Sequence, residues 1–561
     1  MYHHHHPQQQ HAMCTRKPHL FTVSLLLSLL LVGQSVEVRQ LSAIRKGPWH
    51  HEIVEGPHPD AVVSATFNNT INLTGWATLE IVDLRSPDSP QKMLDQEVAY
   101  VAGLMEGNLT GPLMLMQWKN TMANYCTDNP ELCSKIDDFI VKNNDFTQKL
   151  DSDDPYWHQI YLFALQIMGL MDGYGDLDIE QLPDFSFIFF QLHGDLNDLE
   201  SALGGGNKSY SHVLGSGSCS ALIKPLPDHS DILIGHDTWT SYYNMLRIYK
   251  LYDFKFHMSH SDKRLIPGHR QSFSSYPGRL YSGDDFYVLG SGLVTMETSI
   301  ENFNPDLWKF VTPESVFENY RVVAANRLAS SGKEWTSIFS KYNSGTYNNQ
   351  WMVVDYKLFQ PGAKDLKEGL LWVLEQLPNK TVAFDKTDML IKQEYWASYN
   401  IPFYPSIYQM SGTAEMAAKY GDWFDWYHCP RAKIFSRNHS DVTDLDSMVD
   451  LMRYNNFQHD PLSSCKCTPP YSAENGIAAR SDLNPADGTY PLPALGHRAH
   501  GAIDMKVTNY KMFQSHSCMA SSGPTFEEQP PFQWSKSGFT PVPLGHPDVW
   551  NFKPVHVSWN S

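Results

Sequence analysis

The texture of the chain changes at residue 219, and that change limits the possible folds more than any other feature. Before it, helical apolar spacing runs through Gln91 to Glu106, Pro130 to Lys149 and Tyr156 to Met171. A connector follows, Leu203-Gly-Gly-Gly-Asn-Lys-Ser209, which reads as flexible, and then Gly215-Ser-Gly-Ser218. After Cys219 come short strands and turns. Ala221–Ile223 and Ile232–Ile234, separated by Pro225, Pro227, Asp228 and His229, predict a hairpin. Leu280-Tyr281, Phe286–Leu289 and Leu293–Glu297 read as strands between Ser282-Gly-Asp-Asp285 and Gly290-Ser-Gly292. Trp351–Phe359 reads as a further strand and Lys364–Leu377 as a helix; the last hundred residues are rich in Pro, Gly and Asn. There is no internal repeat. The mixture predicts an α+β protein of stacked antiparallel sheets with covering helices, not alternating βαβ units.

Arg16 and Lys17 precede an apolar run from Leu20 to Val32, closed by Gly33 and Ser35. That layout predicts a secretory signal peptide over residues 1–35, a signal anchor being the alternative, and His3–His6 fall in this leader. No later window approaches 18 uninterrupted apolar residues, so no stable membrane span is expected in the mature chain. Six N-x-S/T sequons, at Asn68, Asn72, Asn108, Asn207, Asn379 and Asn438, fit a glycosylated lumenal protein. In an oxidising compartment the cysteines pair where spacing permits. Cys126 and Cys133 predict a local disulfide. Cys465 and Cys467 are close enough to pair, but as a tight ring. Cys429 and Cys518 are either buried thiols or a pair. Loss of Cys14 with the leader leaves seven cysteines, so at least one is free or intermolecular.

The chemistry is sought at Gly215-Ser-Gly-Ser-Cys-Ser220. A thiol is a good nucleophile only as thiolate and needs a lowered pKa or a nearby base. Cleavage between Ser218 and Cys219 would supply one, because an α-amine titrates near about 7.7–8.0. The glycine-serine run can expose the Ser218 carbonyl to the Cys219 thiol. The hairpin would return His236-Asp237-Thr238-Trp239 alongside, where Asp237 can orient an ammonium and Thr238 donate a hydrogen bond. Taken alone, a cysteine after such a loop is more often structural. Two of these neighbours also have an ordinary use, a turn cap for Asp237 and core for Trp239.

Several stretches carry a resemblance. Cys219-Ser-Ala-Leu-Ile-Lys224, Ile234-Gly-His-Asp-Thr-Trp239, Ser275-Tyr-Pro-Gly278 and Gly283-Asp-Asp-Phe-Tyr287 are similar to motifs of the phospholipase B-like family of N-terminal-nucleophile hydrolases. So are Tyr347-Asn-Asn-Gln-Trp-Met-Val-Val-Asp355, Pro430-Arg-Ala-Lys-Ile-Phe435, Met452-Arg-Tyr-Asn455 and Ala479-Arg-Ser-Asp-Leu-Asn-Pro485. The resemblance covers essentially the whole mature chain, and the ending, Pro531-Phe-Gln-Trp534 through Val555-His-Val-Ser-Trp559, is more like the family's second, lysosomal branch. It implies an αββα sandwich of the N-terminal-nucleophile type. It also implies one precursor cleaved into residues 36–218 and 219–561, both chains forming one unit. Cys219 would be the nucleophile and new N-terminus, with His236, Asp237, Thr238 and Trp239 lining the pocket. Asn400 matches an oxyanion-stabilising asparagine and Arg431 an arginine close to the nucleophile; such preorganised donors contribute on the order of 3 kcal/mol each. Cys465-Lys-Cys467 departs from the family, whose usual pair is spaced one residue further apart.

Other chemistries find less support. His257-Met-Ser-His260 and His497-Arg-Ala-His500 have ligand-like spacing without a third ligand or an HExxH pattern, so no metal and no cofactor are expected. There is no G-x-S-x-G elbow or P-loop. The aromatic stretches Tyr395–Tyr408 and Trp423–Tyr427 are a lipid groove or, by default, core. The expected activity is hydrolysis of ester or amide bonds in acyl-lipids or acyl-amides in the lysosome lumen. The alternative is a catalytically weak binding glycoprotein that keeps the fold. Charge supports the compartment. A net charge of −18 argues against coating nucleic acid. Residues 1–35 hold two of the 43 basic residues, none of the 61 acidic ones and six of the 25 histidines, which leaves −20 with 19 histidines. At roughly pH 5 most histidines are protonated, and the charge approaches zero. The oligomeric state is open.

Overall fold

Strands precede the first helices. The computed structural model describes residues 37–86, 93–147, 153–204, 213–214 and 216–561; the leader, the Asn207 sequon and Gly215 lie outside the described residues. From Glu37 onward the chain forms one unit. It opens with β1 (Glu37–Gly47), β2 (His50–Glu55), β3 (Ala61–Asn69) and β4 (Ala77–Asp83). These were not anticipated from the sequence, although burial alternates residue by residue along β3 and β4, the period-2 signature of a half-buried strand.

Three long helices follow. α1 (Asp95–Thr121) is longer than its apolar spacing predicted and runs through Pro112. Glu97 caps it by accepting the Leu94 N–H at 3.0 Å, and two acidic residues in its first turn complement the helix dipole. α2 (Pro130–Thr147) and α3 (Pro155–Gly175) match their predicted positions. α3 starts where Asp154 accepts the Tyr156 N–H at 2.8 Å with Pro155 at the first helical position. α1 and α3 pack backbone to backbone through four glycines: a Cβ on Gly103 would lie 1.9 Å from the Gln166 carbonyl oxygen, and one on Gly173 1.9 Å from that of Leu104. Gly107 and Gly169 face the opposite helix in the same way, a Cβ there lying 2.3 Å from the Leu170 carbonyl oxygen and 1.9 Å from that of Tyr100 respectively. Gly173→Ala is therefore expected to force the helices apart and cost about 1–3 kcal/mol, read from the urea midpoint.

The predicted hairpin is present as β5 (Cys219–Pro225) and β6 (Ile232–Ser241). β7 (Ile248–Asp253), β8 (Arg270–Ser275), β9 (Phe286–Leu289) and β10 (Leu293–Ser299) follow, then α4 (Glu318–Leu328) and β11 (Asn349–Asp355). Leu280-Tyr281 belongs to no strand, and the predicted strand to Phe359 ends at Asp355 in a 3-10 turn. The predicted helix Lys364–Leu377 is instead a strand, β12 (Leu371–Leu377), paired with β13 (Lys380–Asp385) across the Pro378-Asn379 turn. Six of its seven residues are buried, on both faces, and a short continuous apolar run has no periodicity to separate strand from helix. β14 (Trp396–Ser398), α5 (Pro430–Asn438), α6 (Leu445–Met452), β15 (His500–Ala502), β16 (Asp504–Thr508), β17 (Cys518–Ser522) and β18 (Val555–Val557) complete the framework.

These strands make two stacked sheets. One has 11 strands in the order β13-β12-β11-β10-β9-β8-β7-β4-β3-β1-β2, antiparallel except for β4 beside β7. The other runs β14-β5-β6-β16-β17-β18, with β15 beside the end of β6. Alternate residues of β10 and β11 divide between two cores. Leu293, Trp351 and Val353 join the helices α1, α3 and α4, whereas Val294, Met296, Met352 and Val354 meet Ala221 and Ile223 of the second sheet. Ile434, Met448 and Met452 of α5 and α6 extend that second core. The architecture is thus α+β, with antiparallel sheets face to face and helices packed against them. Among the described residues no helix is long and apolar enough to cross a membrane.

Cys126 pairs with Cys133, and Cys465 with Cys467, as spacing allowed; Cys219, Cys429 and Cys518 are separate buried thiols. Of the described sequons, Asn72 and Asn379 are exposed and Asn68, Asn108 and Asn438 half-buried, the Asn108 amide oxygen accepting from Arg39 at 3.1 Å.

Candidate active site

Register decides which predicted residues meet. Cys219 opens β5 opposite Thr238 of β6, and Ser220 lies opposite Asp237. Opposed residues of an antiparallel pair share a face and successive ones alternate. Cys219, Thr238 and His236 therefore face the larger sheet, where His236 Nε2 lies 2.8 Å from the Glu297 carbonyl oxygen and Thr238 donates to Asp284 at 2.8 Å. Ser220, Asp237 and Trp239 face the other way; Ser220 and Trp239 both donate to the Ile477 carbonyl, at 2.9 and 3.1 Å.

The end of the hairpin opens into a cavity of about 620 Å³ whose wall includes Cys219, Thr238, Trp239, Tyr347, Asn400 and Arg431. His236 and Asp237, predicted pocket residues, do not line it. Both Asp237 carboxylate oxygens are buried without a hydrogen bond, and burial, with Asp504 nearby, pushes this carboxyl well above the usual range. Burial and Lys506 hold the His236 imidazole neutral, well below its ordinary pKa. Tyr399, Trp423 and Phe424 of the aromatic stretches reach the cavity wall, whereas Trp396, Tyr404 and Trp426 are core.

The Ser218–Cys219 peptide is held by its backbone. Asn400, in the left-handed region at φ 69°, turns its Oδ1 to accept from the N–H groups of Ser218 and Cys219 at 3.1 and 3.3 Å, its Nδ2 donating to the Ser299 carbonyl at 3.0 Å. The donor to the Ser218 carbonyl is the Trp239 N–H. Asn400 thus addresses the nitrogen of the junction and Trp239 its oxygen. Arg431, in the first turn of α5, donates to the Cys219 carbonyl at 2.6 Å and the Tyr399 carbonyl at 2.7 Å while stacking 4.2 Å from the Trp239 ring.

Beside Thr238 lies a charge network that sequence reading missed. Lys506 donates to Thr238 Oγ1 at 2.7 Å and to Asp504 at 2.8 Å; Arg247 pairs with Asp504 at 2.5 Å and with Asp284. All four charged groups are fully buried. Two signals existed: Gly283-Asp-Asp285, read as a turn and as part of a family motif without a charge role, and the charges of Asp504-Met-Lys506 at period 2 on one face of a strand. Burial alone would raise the Asp284 carboxyl, but Arg247 and Lys506 hold it well below the carboxylate range. Burial and the adjacent Asp284 push Asp285 the opposite way, to about 7. Burial pushes the Cys219 thiol well up and Glu297 adds to the shift, so in the uncut chain it is a thiol.

Asp285 gives a pH signature. A carboxyl raised in the fold contributes stability that is whole below its unfolded value near about 4 and is lost as pH rises towards 7. Asp285→Asn, neutral at every pH and tolerant of the φ of 55° at this position, is expected to narrow the loss of urea stability between pH 5 and pH 7.5.

Three of the four histidines singled out for metal spacing have other partners. His257 Nδ1 is 3.1 Å from Asp95, His497 Nδ1 2.7 Å from the Asn484 carbonyl oxygen, and His500 Nε2 3.3 Å from Ser216 Oγ. Among the described residues no three His, Cys, Asp or Glu side chains group to hold a metal ion.

Fold and cavity together describe stacked antiparallel sheets of an α+β protein with a buried thiol, Cys219, at the end of a sheet and in the wall of a cavity. The chain belongs to the phospholipase B family, whose model matches residues 63–557. It is 49% identical over 554 residues to the phospholipase B-like 2 protein of Mus musculus, spanning 96% of this chain and 90% of that one. Identity to the Homo sapiens phospholipase B-like 2 protein is 48% over 527 residues, 91% and 87% of the two chains. Identity to the Caenorhabditis elegans phospholipase B-like 2 protein is 40% over 559 residues, 96% and 93%.

Proposed function

We propose that this protein is a self-processed hydrolase of ester or amide bonds, with the N-terminal-nucleophile form of the sandwich, a Cys219 nucleophile and a lysosomal site of action. The observation that carries the reading is the grip on Ser218–Cys219: the Trp239 N–H on the carbonyl, one Asn400 oxygen shared by both N–H groups, and both residues at the cavity wall. The Cys219 thiol adds to the Ser218 carbonyl carbon, and the developing oxyanion takes the Trp239 N–H. The C–N bond breaks as the nitrogen gains the thiol proton, and water hydrolyses the thioester to leave a Ser218 carboxylate and a Cys219 amine.

That amine is then the base the buried thiol lacks. It takes the Sγ proton as sulfur attacks a substrate acyl carbon, returns it to the departing alcohol or amine, and activates water to release the acid. Asn400, already against this nitrogen, orients the amine, and Arg431 fixes the strand end through the Cys219 carbonyl. Acyl-phospholipids are the substrate class the family name favours. The leader and the sequons support a glycosylated lysosomal protein. Charge supports it less than the histidine count suggested, because burial holds His193, His236, His500, His516 and His546 neutral at pH 5. The test is to incubate processed protein at about pH 5 with acyl-phospholipids and acyl-amides, using Cys219→Ser as control. Fatty acid release that depends on Cys219 supports the reading; equal release from the variant, or none from any substrate, overturns it.

A further inference from the structure

The cavity that holds Cys219 has a second polar corner that the chemistry above does not use. Arg498 and His500 converge there on one oxygen: Arg498 Nη1 donates to Ser216 Oγ at 3.0 Å, and His500 Nε2 lies 3.3 Å from the same atom. Both side chains stand on the fully buried Glu474, Arg498 Nη2 donating to Oε1 at 3.0 Å and His500 Nδ1 lying 3.9 Å from Oε2. A further bond at 3.0 Å from Arg498 Nη2 to the Ala494 carbonyl fixes the guanidinium plane. Both side chains line the cavity, Arg498 as a donor and His500 through Nε2.

Their present partner is temporary. Ser216 lies three residues before Cys219, so its α-carbon is within about 10 Å of that of Cys219 even with the chain extended. The intervening Gly217 is pressed against the wall, where a Cβ would come 2.9 Å from the Trp239 ring and 3.0 Å from Arg431 Nη2. Cleavage after Ser218 makes Ser216 part of a free chain end. Its departure leaves the Arg498 guanidinium and the His500 ring facing the cavity without the oxygen they now share, a place that another oxygen can take. Arginine keeps its charge and suits phosphate geometry. The nearby acids are already engaged: Asp198 accepts from Asn348 at 3.0 Å, Glu200 from Tyr125 at 2.7 Å, and Asp284 pairs with Arg247.

We infer that Arg498 and His500, braced by Glu474, form the subsite that takes an anionic oxygen of the substrate, the phosphodiester of an acyl-phospholipid, after Ser216 vacates it. The inference rests on the hydrolase reading and adds which part of the substrate is recognised. A phospholipid carries its phosphodiester a few bonds from the ester carbonyl, within the span between Ser216 and Cys219.

The test compares processed wild type with Arg498→Gln on phosphatidylcholine and on diacylglycerol of the same acyl chains in mixed micelles. Arg498→Gln is expected to lower the ratio of the two kcat/KM values at least tenfold, mainly through the phospholipid KM. A ratio unchanged within twofold overturns the inference. Because Arg498 holds Ser216, the variant's processing is checked on a gel, and His500→Gln provides an independent substitution with the same expected direction. Binding is also read without turnover, by calorimetry of processed wild type with glycerophosphocholine and, separately, inorganic phosphate. Glycerophosphocholine binding that weakens at least tenfold in either variant supports the subsite. Binding of inorganic phosphate alone, or of neither, overturns it. Protein that hydrolyses neither lipid yet binds glycerophosphocholine through Arg498 would fail the hydrolase reading and keep the subsite.

Discussion

Cys219→Ala is expected to yield one uncut chain and to abolish turnover, a loss of at least about 10³-fold in rate as for other removed nucleophiles. The grip on the junction makes this a clean experiment. Asn400 and Trp239 hold backbone atoms of Ser218 and Cys219, which alanine keeps. The peptide stays in place, and only the attacking sulfur is lost. Cys219→Ser retains a poorer nucleophile at the same position and is expected to slow processing. Denaturing gels and N-terminal sequencing read both outcomes; the downstream wild-type chain should begin Cys-Ser-Ala-Leu-Ile. Two chains of normal size from Cys219→Ala would end the self-cleavage mechanism.

Arg247→Met carries the largest expected loss of stability, about 3–5 kcal/mol, measured by urea unfolding. Arg247 is fully buried between Asp284 and Asp504, with the Trp76 ring at 4.8 Å and the Tyr276 ring at 4.3 Å. Methionine refills much of the volume but leaves two buried carboxylates facing Lys506 alone, so one negative charge is uncompensated. The contrast is Lys46→Met, which breaks a pair with Glu52 whose side chains are 45% and 52% exposed; that change should cost less than about 1 kcal/mol. A loss from Arg247→Met as small as that of Lys46→Met would mean that protonation of Asp284 or Asp504 relieves the network. Because Asp284 and Lys506 also bond Thr238, the substitution should disturb the strand end that carries Cys219.

Much of the framework was readable where the pattern was local. α2 and α3 follow from apolar spacing, the β5–β6 hairpin from two apolar runs around a proline-rich turn, and the Cys126–Cys133 pair from close spacing. β12 was misread because burial on both faces removes the polar alternation that marks a strand. β3 and β4 carry only short alternations, Val63-Ser-Ala-Thr-Phe67 and Ala77-Thr-Leu-Glu-Ile81, a weaker signal than the long helical periodicities that follow them.

The amino-acid sequence by itself determined the family and supplied Cys219 and the motifs quoted with it as candidates, because those lie in contiguous stretches that need no knowledge of packing. The tertiary structure alone decided which members of His236-Asp237-Thr238-Trp239 reach the cavity. A strand reverses its faces at every residue, and only the register of β5 on β6 and the stacking of the second sheet put Thr238 beside Cys219 and turned Asp237 away. The same holds for the charges. Arg247, Asp284, Asp504 and Lys506 are as much as 259 positions apart, and only the folded sheets bring them close enough, out of water, for their attraction to matter.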